Sequence, residues 1–295
     1  MTKNISFSQR VFDWINILIM IILMIIMVYP VWHVVAASFS NNNQLIGHMG
    51  LLYKPLGFNL NAYTLMMKNP MIIKGYMNSI FIVAAGVTLN ILFTSVAAYF
   101  LSRKNVYWQK YIMMGIVFTM FFSGGLIPFY LTVTKMYNMG NSYWALLIPG
   151  LINTFNLIIM RTSFLAIPDS LTESAHIDGA THWTVLFRII IPLSMPVIAV
   201  MILYYSVGHW NSWFNANIFI KDRTRYPLQL VLREILISND TSVMVQGSGD
   251  ASDQMSIGET VKYAVVVTAT LPILLIYPFL QKYFVKGVMV GSVKG

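Results

Sequence analysis

The chain has 295 residues, of which 57% are hydrophobic and only 10% are charged, and its mean hydropathy is +0.67. Soluble domains carry about 25% charged residues, so this composition excludes a soluble globular protein and predicts an integral membrane protein. The net charge of +9 comes from basic residues that are scattered among apolar runs and form no cluster. Lipid headgroups and membrane orientation explain this charge better than nucleic-acid binding does.

Six apolar stretches are long enough to cross a bilayer, which takes about 20 helical residues. Lys3 and Arg10 precede the first stretch, which is too long for the apolar core of a secretory signal, so we interpret it as an uncleaved span. Gly124-Gly125 and Pro128 predict that the third span is kinked and packed inside a helix bundle. The predicted spans are 14–39, 76–101, 111–134, 144–164, 193–214 and 259–283, within a single membrane domain covering 1–295.

The even number of spans places both chain ends on the same side of the membrane. The short loop 102–110 carries three basic and no acidic residues, and the chain end carries Lys282, Lys286 and Lys294. Positive charge close to span ends favours the cytoplasmic side. We therefore expect both termini to be cytoplasmic.

The segment that joins the fourth and fifth spans is too polar to cross a membrane. Ser170 followed by Glu173 forms a capping-box pattern, which predicts a helix that starts at Ser170. Gly179 is expected to end this helix in a left-handed conformation, and Thr181 to cap a second helix that Pro192 terminates. The segment is thus predicted to be a short helix, a tight corner and a longer helix outside the membrane.

The same segment contains Glu173-Ser174-Ala175, three residues, Gly179, nine residues and Ile189-Ile190-Ile191-Pro192. This spacing resembles the Glu-Ala-Ala motif of permease subunits of bacterial ATP-binding-cassette (ABC) importers, with Ser174 in place of Ala and Ile191 in place of Leu. Further stretches resemble the second permease subunit of importers for complex sugars and oligosaccharides. They are 123–130, 225–229, 282–288 and 291–295.

The resemblance implies a fold and a set of partners. The fold is an all-α integral membrane protein of six transmembrane helices, with a cytoplasmic coupling loop, 168–192, between spans four and five. The partners are a homologous second permease, two cytoplasmic ATPase subunits and an extracellular solute-binding protein that delivers an oligosaccharide. No cofactor is implied for this chain, because ATP and Mg²⁺ belong to the ATPase. The implied location is the bacterial plasma membrane.

The resemblance also implies which residues transmit the closure of the ATPase to the spans. Such residues lie in a groove of the ATPase subunit, where a small side chain allows close approach. They are Glu173, Ser174, Ala175, Asp178, Gly179 and Ala180.

Signatures of an enzyme or of a metal site do not occur in the sequence. The chain has no cysteine, no Gly-x-Ser-x-Gly and no phosphate-binding glycine-rich loop. Its histidines do not have the spacing of metal ligands. They are His33, His48, His176, His182 and His209. We therefore predict a transport subunit without catalytic or metal-binding residues.

The sequence leaves two alternative functions open. An ion-coupled secondary transporter needs ionisable groups at membrane depth. The predicted spans contain no mid-span acid, and we interpret His33 and His209 as hydrogen-bonded packing residues. A membrane scaffold that docks a cytoplasmic partner without transporting a solute is the second alternative.

Aromatic and amide side chains alternate near the outer end of the fifth span. Aromatic rings stack on the CH faces of sugars and amides hydrogen-bond to hydroxyls, although an interfacial aromatic belt places Trp and Tyr at the same depth. The candidate path residues are Tyr205, Trp210, Asn211, Trp213 and Asn215. The outer segment 217–258 that follows is long and rich in charges, and loops of this length are usually functional or disordered. The resemblance implies that it faces the solute-binding protein, and we expect a contact there.

Overall fold

A computed structural model describes residues 7–103, 106–238, 260–276 and 278. Helices and connecting loops make up this part of the chain, and no β-strand occurs within it, in agreement with the predicted all-α class. The stretch 282–295 and the second half of the outer segment, 239–258, lie outside the described residues.

Most helices are short, and the two longest have 32 and 33 residues. The π-helical turns Thr132–Met136 and Leu186–Ile190 extend α6 and α10, and a 3-10 turn covers Arg223–Arg225. In chain order the helices are α1 Phe7–Ser38, α2 Asn42–Ile46, α3 Asn61–Lys68, α4 Pro70–Ser102, α5 Gln109–Phe121, α6 Leu126–Leu131, α7 Trp144–Leu147, α8 Thr154–Leu165, α9 Asp169–Ile177, α10 His182–Val185, α11 Ile191–Leu193, α12 Met195–Trp210, α13 Phe214–Phe219, α14 Leu228–Ser238 and α15 Thr260–Ile276.

Two helices, α1 and α4, are each long and apolar enough to cross a membrane. At 1.5 Å per residue they measure about 48 and 50 Å, more than the roughly 30 Å of a bilayer core. The most apolar window of α1 is 0% buried in this chain, whereas that of α4 is 28% buried. Lipid or another chain must therefore cover α1, while α4 packs inside the protein's own core.

Two further pairs of helices have the apolar length of a span only when taken together. The chain bends by 113° between α5 and α6, where Gly125 has φ +85°, so the predicted kink is confirmed. Neither helix has a buried residue, so the predicted packing inside a bundle is not found among the described residues. It bends by 87° between α11 and α12. The described residues thus hold two to four spans by length and composition, and the six-span layout stays a prediction.

The predicted fourth span is not one continuous helix. It consists of α7 and α8, separated by the non-helical stretch 148–153. Pro149 and Gly150 lie in this stretch, and both disfavour a helix interior. Asn153 then starts α8, because its side chain accepts a hydrogen bond from the Asn156 amide at 3.1 Å. We call 148–153 the helix break.

The chain divides into two compact units. The first contains the described residues of 1–70 and 234–270, and its core is built around Ala36, Ala37 and Leu52. The second contains those of 71–233 and 271–295, and α4 contributes to both of its apolar clusters. The coupling loop and the candidate path residues all belong to the second unit. The predicted single membrane domain stays a prediction.

Candidate functional site

The first helix of the coupling loop begins one residue earlier than predicted. α9 starts at Asp169, its N-cap is Pro168, and no side chain caps it, so the predicted capping box of Ser170 and Glu173 does not form. Pro168 has φ −57° and ψ 133°, the extended conformation that an N-cap residue adopts. The Asp169 carboxylate lies in the first turn, where it interacts favourably with the helix dipole.

Gly179 ends α9 as predicted. Its φ is +81°, which favours glycine. Its amide donates to the His176 carbonyl at 3.0 Å, and the Ala180 amide donates to the Ala175 carbonyl at 2.9 Å. These two bonds form a Schellman motif, which satisfies carbonyls at the helix end. A Cβ built on Gly179 would meet nothing within 4 Å, so the corner faces open space.

The second helix of the loop begins as predicted and ends later. Thr181 caps α10 by accepting a hydrogen bond from the Thr184 amide at 3.3 Å. Pro192 does not terminate the helix, because α11 continues through it to Leu193. Pro192 stands in the first turn of α11, directly after the π-helical turn, where a missing amide is tolerated. The sharp bend follows at Ser194.

The predicted coupling residues form one exposed corner. Four are exposed, and the two alanines are half-buried and pack against the core of the second unit. Thr172 is the buried residue of α9 and fixes which face of the helix points inwards. The exposed coupling residues are Glu173, Ser174, Asp178 and Gly179. The loop thus has a polar exposed surface and a side-chain-free corner.

The candidate path residues do not share one surface. Tyr205 is only 6% exposed, and its hydroxyl lies 2.8 Å from Thr94 Oγ1 and accepts a hydrogen bond from the Asn153 amide at 3.2 Å. Its observed contacts therefore hold the end of the helix break. Trp210 is buried, with its ring centroid 6.0 Å from that of Tyr76.

The remaining three candidates lie beyond the end of α12. Asn211 is its C-cap residue and is exposed. Trp213 is half-buried, and the Arg233 guanidinium lies 4.2 Å from its ring centroid, a cation–π contact. Asn215 is half-buried on α13. Sequence reasoning did not separate these residues from Tyr205, because aromatic residues near a span end occur both buried and exposed.

A buried polar cluster at the helix break was missed by the sequence analysis. Asn90 is 1% exposed, and its Nδ2 donates to the Gly150 and Leu151 carbonyls at 2.7 and 2.9 Å. Its Oδ1 lies 2.6 Å from His209 Nε2. A Cβ at Gly86 would come within 2.5 Å of the same His209 nitrogen, so only glycine leaves room for this pair. The available signal was an amide, Asn90, in the middle of the apolar second span.

An apolar cavity of about 290 Å³ lies in the second unit, beside Trp210. It offers few groups that could bind the hydroxyls of a sugar. Ser206, Tyr76 and Trp210 carry its polar atoms, and the rest of the lining is aliphatic. The cavity therefore does not resemble an oligosaccharide site.

The outer loop 221–226, in the part of the outer segment that the structure describes, is held rigidly. Asn141, with φ +56°, accepts hydrogen bonds from two consecutive loop amides at 3.0 Å each. Asn78 of α4 donates to the Thr224 and Tyr226 carbonyls at 2.9 and 3.0 Å. The loop is thus attached to the end of α4 and to the turn before α7.

Asp222 is the acidic residue of this loop. Hydrogen bonds from the Thr224 side chain and backbone, followed by the nearby charges of Arg225 and Lys74, hold the pKa of its carboxyl below the usual value. Arg225 Nε lies 3.6 Å from Asp222 Oδ2. The carboxylate thus stabilises the turn on which the basic residues stand.

Comparison with known proteins agrees with this architecture. Residues 90–290 match the family described as binding-protein-dependent transport system inner membrane component. In Bacillus subtilis (strain 168), the polygalacturonan/rhamnogalacturonan transport system permease protein YtcP is 40% identical over 98% of this chain and 100% of its own length. Protein LplC of the same organism is 41% identical over 100% of this chain and 98% of its own.

A solved structure is similar over nearly the whole length. It is the crystal structure of a bacterial ABC transporter involved in the import of the acidic polysaccharide alginate. One of its chains is 28% identical, with a TM-score of 0.86 over 96% of this chain and 100% of that one. The family match covers the helix break, the coupling loop and α12. The chain therefore belongs to the family of binding-protein-dependent transport system inner membrane components.

Proposed function

We propose that this chain is a permease subunit of an ABC importer for oligosaccharides and forms half of its translocation path. The observation that carries the proposal is the exposed corner at Gly179, which presents the family's motif residues on a rigid Schellman turn. ATP and Mg²⁺ would act in two partner ATPase subunits, and a homologous permease would supply the other half of the path. The chain would lie in the plasma membrane with both termini cytoplasmic.

We propose that the oligosaccharide passes the helix break and the end of α12. Non-helical backbone at membrane depth is tolerated only inside protein or beside a water-filled cavity. Ile148, Pro149 and Gly150 are exposed within this chain, so their backbone needs water or a partner subunit. In this proposal Asn211, Trp213 and Asn215 contact sugar, whereas Tyr205 and Trp210 support the wall.

Uptake measurements in membrane vesicles test the proposal. With the partner permease, the ATPases and the solute-binding protein present, we expect oligosaccharide uptake that requires ATP inside and continues when ion gradients are collapsed. The predicted spans contain no mid-span acid through which an ion gradient would act. Uptake that follows an ion gradient without ATP would instead indicate a secondary transporter. Assembly without any solute movement would indicate a scaffold.

The substrate class within the oligosaccharides is proposed from the relatives. YtcP is named for polygalacturonan and rhamnogalacturonan, and the solved relative imports alginate. All of these polymers contain uronic acids. Uronate-containing oligosaccharides are therefore the first compounds to test, with neutral oligosaccharides of equal length as the comparison.

We propose that the basic outer loop contacts an acidic surface of the solute-binding protein. Lys221 and Arg223 are exposed on the hydrogen-bonded turn described above, and Lys74 lies close enough to influence Asp222. A rigid loop loses little conformational entropy on binding. Complementary charge across such an interface mainly raises the association rate and weakens with salt.

Reversing two of these charges should weaken docking. In the variant carrying Lys221→Glu and Arg223→Glu, we expect the concentration of solute-binding protein that half-stimulates the ATPase to rise about tenfold at low salt. High salt should shrink the difference. The control is Lys54→Glu, an exposed lysine of the first unit. Equal shifts in both variants would mean that net charge alone matters, and the loop would not be the docking surface.

A further inference from the structure

The C-terminal end of α4 contacts the coupling loop through a basic side chain. Arg103 follows α4 directly, and its Nη1 donates to Thr172 Oγ1 at 3.4 Å. Thr172 is the buried residue of α9, and its hydroxyl donates in turn to the Asp169 carbonyl at 2.8 Å. Arg103 thus binds the inward face of the helix whose outward face carries the family's motif.

Neighbouring groups of α4 orient the guanidinium. Arg103 Nε and Nη2 each donate to Ser102 Oγ at 3.2 Å, and this hydroxyl donates to the Tyr99 carbonyl at 2.8 Å. The guanidinium carbon lies 4.9 Å from the Tyr99 ring centroid, a cation–π contact. The guanidinium has little freedom to move, because two of its nitrogens donate to one hydroxyl and its plane lies over an aromatic ring.

Tyr99 reaches the other side of the corner. It is 7% exposed, and its hydroxyl lies 3.1 Å from Nδ1 of His182, the first residue of α10. The His182 ring centroid is 4.7 Å from that of His176 in α9. His176 Nδ1 donates to the Ala180 carbonyl at 2.9 Å, directly after the glycine corner. Contacts from α4 therefore reach both helices that meet at the corner.

We propose that Arg103 and Tyr99 are positioning residues that transmit displacement of the coupling loop to α4. This proposal rests on the coupling function proposed above. The loop is continuous with α8 and α12 through the chain. Its link to α4 consists of side-chain contacts, in which Arg103 and Tyr99 supply hydrogen bonds beside the apolar packing. Asn90, which holds the helix break, lies nine residues before Tyr99 on the same helix, about 14 Å along its axis. A rigid α4 would thus carry the displacement from the loop to the break.

Removing single groups from this link should lower coupling without disassembling the importer. Tyr99→Phe keeps the ring beneath Arg103 and removes only the hydroxyl that contacts His182, while Arg103→Gln removes the guanidinium. In each variant we expect the number of oligosaccharides imported per ATP hydrolysed to fall about fivefold, as for the loss of one hydrogen bond. The concentration of solute-binding protein that half-stimulates the ATPase should stay unchanged, because the outer loop is untouched.

Matched controls lie next to the link on the same stretch of chain. Tyr107→Phe removes a hydroxyl from a side chain that is 85% exposed, and Lys110→Gln removes one positive charge from another exposed side chain. Neither should change transport per ATP. Combining Tyr99→Phe with His182→Asn should lower it no further than the stronger single variant, because both remove the same contact.

The outcomes separate this inference from the proposed function. A parallel loss of assembly, basal ATPase and transport would assign Arg103 and Tyr99 a structural role and overturn the inference. Unchanged transport per ATP in these variants, together with loss of stimulation in Gly179→Asp, would also overturn it and leave the coupling loop intact as a proposal. If Gly179→Asp behaves like the native chain as well, the coupling function itself fails.

Discussion

Gly179→Asp is expected to abolish the stimulation of ATP hydrolysis by solute-binding protein and oligosaccharide. The left-handed conformation at φ +81° costs a residue with a Cβ about 1–2 kcal/mol. The larger effect is expected from the proposed ATPase partner, because the new side chain has open space around it and would project a charge towards the proposed docking surface. Desolvating an unpaired carboxylate there costs several kcal/mol more, which corresponds to a loss of at least a hundredfold in affinity for the partner. The measurement is ATPase activity of the reconstituted complex.

Gly50→Asp is the matched control for this experiment. Gly50 also has a positive φ, +142°, and its nearest neighbour is 4.0 Å from an added Cβ, but it belongs to the first unit, whereas the coupling loop belongs to the second. The same substitution there introduces the same charge without touching the corner. Loss of stimulation in both variants would point to a general defect. Native stimulation in Gly179→Asp would remove the main support for the coupling loop.

Asn90→Leu is expected to destabilise the second unit strongly. The substitution leaves the Gly150 and Leu151 carbonyls and His209 Nε2 without the partner they have in this structure. Each buried polar group left unsatisfied costs about 1–3 kcal/mol, so the variant should lose about 3 kcal/mol or more. In detergent, the midpoint of thermal unfolding should fall by roughly 5–10 °C. Transport should fall with it, because the helix break would lose its anchor.

Thr88→Leu is the control on the same helix. Thr88 is exposed, and its hydroxyl donates only to the Ala84 carbonyl one turn earlier, a group already bonded within the helix. Adding the same leucine there should shift the unfolding midpoint little. If Asn90→Leu unfolds at the native temperature, the amide does not hold the break, and its hydrogen bonds would be replaceable by water.

The local features of the coupling loop could be predicted because they depend on a few neighbouring residues. Gly179 ends α9 and Thr181 caps α10, as expected from glycine's freedom at positive φ and from a hydroxyl within reach of the next amides. The predicted start at Ser170 was wrong, because Pro168 already has the conformation of an N-cap residue. The capping-box pattern of Ser170 and Glu173 and the extended conformation of Pro168 indicate different starts for the helix. The sequence alone does not show which one applies.

The polar contacts between helices could not be predicted from the same information. His209 was correctly interpreted as a hydrogen-bonded packing residue, but its partner Asn90 lies 119 positions away. Tyr205 was assigned to the substrate path, whereas its hydroxyl contacts Thr94 and the start of α8. Which face of an apolar helix is buried follows from its neighbours, because a membrane span is apolar on all sides and its periodicity is weak.

By itself the sequence determined that this protein is helical and lies in a membrane, because a chain with 10% charged residues cannot cover a soluble surface. Its motif spacing placed the corner at Gly179, because capping and helix termination act within one or two turns. Only the tertiary structure decided where α7 and α8 separate, which residues hold that break, and that Arg103 and Tyr99 bind the coupling loop. These contacts join residues far apart in the chain, and their energies arise only when packing removes water from both partners.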